Sequence, residues 1–195
     1  MGIHHGHTVM AKRYPELNEE LSAFIREQKL YFVATASDGY VNLSPKGMDS
    51  LRILDANTVA WLNVTGSGNE TAAHVLEDGR MTMMFCGFEG RPLILRLYGQ
   101  ARVYHPRDEQ WPEYATHFDL LPGTRQIFML DIEFVLTSCG LGVPYYEYRG
   151  ERGKLIEWAV NKGPEGLREY WGRKNQVSLD GKPTGLLAEE DSTQE

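Results

Sequence analysis

The fold is decided by one stretch, Leu93-Ile94-Leu95-Arg96-Leu97-Tyr98-Gly99-Gln100-Ala101-Arg102-Val103-Tyr104. Its odd positions are Leu93, Leu95, Leu97, Gly99, Ala101 and Val103; its even positions include Arg96, Tyr98, Gln100, Arg102 and Tyr104. A period of two is the period of a strand, whose successive side chains point to opposite faces. One face is wholly apolar and the other amphipathic, as a barrel strand with a filled interior requires. Gly99 and Ala101 in the apolar row suit a tight bend or a close backbone approach. Residues 126–137 repeat the alternation, with Phe128, Leu130, Ile132, Phe134 and Leu136 expected on one face.

Working outward, residues 31–37 are rich in strand formers, Asp38-Gly39 is a hairpin turn signal, and residues 40–47 return as a second strand. A short run at 51–54 leads to a strand at 58–64, and residues 80–88 read as another. Between them, helices are expected at 16–28, 70–77 and 107–118. Residues 154–174 read as two helical pieces split at Gly163-Pro164, because proline suits a first helical position. Hairpin-like strand spacing with few intervening helices points to an antiparallel barrel rather than alternating βα units. The expected class is therefore mainly β with flanking helices, in one domain spanning residues 15–176. Residues 1–14 read as a flexible leader and 177–195 as an extended, largely disordered tail, since AEEDSTQE at the end carries four acids and no base.

The chain has 20 basic and 27 acidic side chains, a net charge of −7, which argues against general binding of nucleic acid. No apolar run approaches the roughly 20 residues a membrane span needs. The N-terminus lacks the pattern of a signal peptide, so a cytoplasmic protein is expected. The two cysteines, Cys86 and Cys139, form no CxxC pair, and no metal-binding spacing occurs. Cys139 is expected as a small buried thiol in a tight turn. His4, His5 and His7 are assigned no function, and His74, His105 and His117 read as packing or surface residues.

Two segments carry chemistry. In Val41-Asn42-Leu43-Ser44-Pro45-Lys46-Gly47, Ser44 and Lys46 lie two apart in extended chain and so share a face. A hydroxyl beside an ammonium suits a phosphate or carboxylate, and Pro45 suggests an edge position; an irregular strand end with a solvated lysine remains the alternative. Gly66-Ser67-Gly68-Asn69-Glu70-Thr71 opens a helix, where unpaired N–H groups and the helix dipole favour an anion. Ser67-x-x-Glu70 is equally a capping box, which would explain those residues without a ligand. Both segments flank the strand at 58–64, so a barrel can bring them together, with Lys46 offsetting Glu70 and Asn63 available to a ring edge.

The ordered set FVATASDGYVNLSPKG, TVAWLNV, GSGNETAAHVLEDGRMTMMF and ILRLYGQARV resembles the pyridoxamine 5′-phosphate oxidase-like, FMN-binding split-barrel superfamily. The segments TSCGLGVP and EYWGRKNQVSLDGKPTG look like an uncharacterised branch of it rather than the vitamin B6 oxidase proper. The resemblance implies a six-stranded antiparallel Greek-key split β-barrel, paired as a homodimer with FMN sites at the interface. It implies a flavin-dependent oxidoreductase acting on a small-molecule substrate or electron donor. A non-catalytic flavin carrier or sensor, or a barrel using deazaflavin or haem, are the alternatives. The residues it implies for the cofactor are Ser44, Pro45, Lys46, Gly47, Asn63, Ser67, Gly68, Asn69, Thr71 and Arg96. Ser138 and Cys139, in the turn running to Pro144, are the candidates for closing a partner's site. The sequence names no catalytic acid or base.

Overall fold

A computed structural model describes residues 11–187. Its strands are β1 (Lys12–Tyr14), β2 (Tyr31–Thr35), β3 (Asn42–Lys46), β4 (Leu51–Ile53), β5 (Thr58–Val64), β6 (Arg80–Cys86), β7 (Leu93–Tyr104) and β8 (Thr124–Cys139). Its helices are α1 (Glu19–Glu27), α2 (Glu70–Glu77), α3 (Trp111–Ala115) and α4 (Lys154–Lys174). All eight strands join one antiparallel sheet, ordered β3-β2-β6-β7-β8-β5-β4, with β1 extending the β5 side of β8 at residues 135–137. The sheet curls into a half-barrel with helices around it, the expected class with two extra three-residue strands. β3 and β4 follow one another in sequence yet form the two edges of the path, so the barrel is split between them.

The alternation in β7 holds. Leu93, Leu95 and Leu97 are almost fully buried and Ala101 nearly so, packed with Val33, Val59, Met83, Phe85, Phe128 and Leu130 in the main core. Trp61 stacks on its register partner Phe128 with ring centroids 4.6 Å apart. The N-terminal helix closes one end of this core with Leu21, Phe24 and Ile25, and is capped by Asn18, whose Oδ1 accepts from the Leu21 N–H at 2.9 Å. A second cluster, Ala60, Leu62, Ile127 and Met129, lies on the opposite face of β5 and β8, under Phe118 and α3.

β8 departs from its expected pattern halfway along. The pairing shifts register between Tyr98 and Gly99, which face Phe134 and Ile132 respectively, so Glu133 is the extra residue of a bulge. One inserted residue exchanges the two faces. Beyond it Val135 and Thr137 are buried, while Phe134 and Leu136 turn outward; Phe134 stacks on Tyr98 at 4.8 Å. Gly99 is required here, since a Cβ on it would sit 1.9 Å from the Asp131 carbonyl oxygen.

Other expectations are corrected. Residues 12–14, assigned to the leader, pair with β8. The helix expected at 107–118 is reduced to five residues, with turns on either side of it, and holds Pro112 in its first turn. Cys139 is exposed rather than buried, because β8 continues to it instead of turning before it. Residues 177–187, expected as part of a disordered tail, are packed: Thr184 and Leu186 are buried, and Arg107 donates to the Leu186 carbonyl at 2.7 Å. The last eight residues and the N-terminal histidines lie outside the described residues. The helical break at Gly163 holds, its φ being 66°. Among the described residues no helix is long and apolar enough to cross a membrane.

Candidate functional site

A cavity of about 330 Å³ opens at the split of the barrel. The edge strand β3 gives it Asn42, Ser44 and Lys46; β5 gives Trp61 and Asn63; the following loop and the start of α2 give residues 66–71; β8 gives Arg125. The shared face of Ser44 and Lys46 is therefore as the spacing required, and Pro45 sits on the outward face of an edge strand, where a missing N–H is harmless.

Two cations dominate the cavity. Lys46 Nζ lies over the Trp61 ring, 4.8 Å from its centroid. Burial, with the Arg125 guanidinium nearby, pulls its ammonium down to about 8. Arg125 is only 4% exposed, and burial lowers it to about 10, so it stays cationic at neutral pH. Among the described residues neither makes an ion pair. Arg125 donates to Asn175 Oδ1 at 2.9 Å and to the Gly68 carbonyl at 2.8 Å.

The polar groups around these cations are incompletely satisfied. Ser44 Oγ and both amide atoms of Asn69 are buried without a hydrogen-bond partner. Buried groups in this state are rare, since each loses the full benefit of hydration. The capping-box alternative fails: the N-cap of α2 is Asn69, whose side chain makes no cap bond, and Glu70 Oε2 instead accepts from the Leu179 N–H at 2.7 Å. Residues that looked self-sufficient in sequence thus leave donors open.

The remaining candidates divide. Thr71 lines the cavity and accepts from Asn42 Nδ2 at 3.0 Å. Asn63 lines it too, but its amide is engaged with Gln126 at 3.0 Å. Gly47 belongs to an adjacent cavity of about 460 Å³ between α1 and the β3–β4 turn. Arg96 lies away from the site, donating to Ser138 Oγ at 3.2 Å. Ser138 and Cys139 sit at the far end of β8 from Arg125, roughly 40 Å of strand away at about 3.3 Å per residue. The chain's own cavity contains none of these last three residues.

Sequence reasoning missed Arg125, Trp171 and Asn175. Trp171 Nε1 donates to Thr65 Oγ1 at 2.8 Å, and Asn175 Nδ2 reaches the carbonyls of Gly66 and Ser67 at 3.3 and 3.4 Å. Arg125 was hidden because it stands just outside an apolar alternation. Asn175 was hidden because its partners are about 110 residues earlier in the chain.

A family model described as pyridoxamine 5′-phosphate oxidase matches residues 17–139. The chain is 35% identical to the pyridoxamine 5′-phosphate oxidase family protein ustO of Aspergillus flavus, over 87% of this chain and 76% of that protein. Among solved structures, it resembles HupZ of Group A Streptococcus (21% identity, 60% of this chain, 91% of that one, TM-score 0.48). It also resembles an FAD binding protein of Mycobacterium smegmatis (15% identity, 64% of this chain, 96% of that one, TM-score 0.46).

Proposed function

The chain belongs to the pyridoxamine 5′-phosphate oxidase family, and from that premise we propose that it binds FMN and acts as a flavin-dependent oxidoreductase on a small molecule. The observation that carries this reading is the pair Lys46 and Arg125, two cations in one cavity that make no ion pair among the described residues, the lining Glu70 carboxylate accepting instead from the Leu179 N–H, beside the unpartnered Ser44 Oγ and Asn69 amide. Such a donor set fits a phosphate. A dianion there would offset the unfavourable burial of Lys46 and accept from the Ser44 hydroxyl and the Asn69 Nδ2. Trp61, with its cation–π contact, holds the Lys46 ammonium in the cavity. Thr71, fixed by Asn42, is a further hydroxyl for the same group. Asn63, turned toward Gln126, shapes the wall.

FMN supplies hydride and electron chemistry when bound, while the protein supplies orientation and electrostatics. Haem fits less well, because no His, Cys or Met lines the cavity. We further propose a homodimer. Tyr40, Val41 and Leu43 leave apolar side chains exposed on and beside the β3 edge, and Leu141, Tyr145 and Tyr146 do so after β8. Apolar surface of that extent suits an interface. Only a second copy could bring Ser138, Cys139 and the turn to Pro144 to this cavity.

Titration with FMN and with riboflavin tests the reading. Tighter binding of FMN is expected, and equal affinity, or none for either, would overturn it. Turnover separates the enzyme from a carrier: the oxidoreductase reading expects a nicotinamide donor to bleach the bound flavin anaerobically.

A further inference from the structure

The structure assigns to Asn175, at the C-terminal end of α4 and outside the family match, the positioning of the anion-binding loop, in concert with Arg125. This rests on the phosphate site proposed above. The loop's three consecutive carbonyls are all held from one side: Asn175 Nδ2 is shared between those of Gly66 (3.3 Å) and Ser67 (3.4 Å), and Arg125 takes that of Gly68 (2.8 Å). Every peptide among the described residues is trans. In a planar trans peptide the carbonyl of one residue and the N–H of the next point in opposite directions. Holding the three carbonyls toward Asn175 and Arg125 therefore turns the N–H groups of Ser67, Gly68 and Asn69 away from that pair. None of the three N–H groups has a partner within the described chain, and all three residues line the cavity. Successive N–H groups directed at one concavity form an anion nest. The buried, unpartnered Asn69 amide, 3% exposed, stands beside them as an independent sign of a missing ligand.

Asn175 is itself held rigidly. It is fully buried, its Oδ1 accepts from Arg125, its backbone N–H donates to the Trp171 carbonyl at 2.9 Å, and its carbonyl accepts from Thr184 Oγ1 at 2.6 Å. Trp171 fixes the start of the same loop through Thr65. The last turn of α4 thus acts as a template against which the loop is moulded. It touches no part of the proposed phosphate and acts through the peptide planes alone.

The test compares wild type with Asn175→Ala and with the isosteric Asn175→Asp, which keeps the contact to Arg125 but loses the donor. In the ligand-free protein, 15N relaxation of residues 66–69 is expected to show an ordered loop in wild type and a loosened one in both variants. FMN affinity is expected to fall at least tenfold while riboflavin affinity changes by less than twofold. An unchanged FMN-to-riboflavin ratio in either folded variant, or equal losses for both ligands, would overturn the assignment. If Asn175→Ala does not fold, Asn175→Asp decides by the same two measurements. A wild type that shows no preference for FMN defeats the phosphate reading instead, and the relaxation data then decide separately whether Asn175 orders the loop.

Discussion

The barrel core and the cavity at its edge are built on the same two strands, and they treat buried side chains in opposite ways. Along one face β5 presents Val59, Trp61 and then Asn63, opposite Leu130, Phe128 and Gln126 of β8. The first two pairs are closely packed hydrocarbon and stacked rings. From the third pair onward the neighbours are Arg125, Lys46, Ser44 and Asn69, among which neither cation makes an ion pair within the described residues and several polar atoms have no partner. Side-chain packing explains the first region; the second keeps polar atoms open, as the proposed ligand site requires. On the proposed reading, the contrast is between a region that contributes stability and one that gains it when a ligand binds.

Trp61→Ala should have the largest effect, because Trp61 belongs to both regions. Losing a fully buried ring stacked on Phe128 is expected to destabilise the fold by about 3–5 kcal/mol, read as a lowered midpoint in urea. It should also weaken FMN, since the Lys46 ammonium loses its seat. Lys46→Met is expected to separate the regions. FMN affinity should fall by about 10–100-fold, as for one charge-assisted hydrogen bond, with riboflavin little changed. The ligand-free protein should meanwhile become more stable, by on the order of 1–3 kcal/mol, because the buried, unpaired ammonium is gone. A loss of stability in the free protein would mean that Lys46 belongs to the core rather than the site.

A pH series sharpens the same comparison. Lys46 titrates near 8 when folded, against 10.5 ordinarily, so between these values the unfolded chain binds more protons. Its contribution to ligand-free stability should therefore rise from about pH 8 toward 10.5, as the buried charge is lost, and stay constant below pH 8. FMN affinity should move the other way, falling above pH 8 by at most about tenfold per unit, with no matching trend for riboflavin. Calorimetric midpoints and flavin fluorescence quenching measure the two. The smallest effect is expected on the solvated exterior, where Arg26→Ala removes an exposed pair with Glu19 and should change stability by less than about 0.5 kcal/mol.

Most of the architecture was legible because alternation is a local code. β7 and the start of α2 fell where period and turn residues placed them, and Gly163-Pro164 broke α4 as expected. Glu133 was not legible. An inserted residue leaves the alternation intact in the text and reverses it in space, and the close approach beside the bulge is permitted by Gly99 on another strand. Ser44, Lys46 and Asn69 were identified from residue type and spacing. Arg125 and Asn175 were not, since neither stands in a motif and both acquire meaning only from partners distant in sequence.

By itself, then, the sequence determined where the longer strands lie, which face of β7 is buried, and that a hydroxyl and an ammonium share one face of an edge strand, because these depend on residues one to four apart. Tertiary structure decided where the sheet splits, which polar groups are left without partners, and that a residue at the end of α4 orders a loop after β5. Those outcomes depend on carbonyls, cations and amides brought together by closure of the barrel, and no local pattern encodes a meeting across more than a hundred residues.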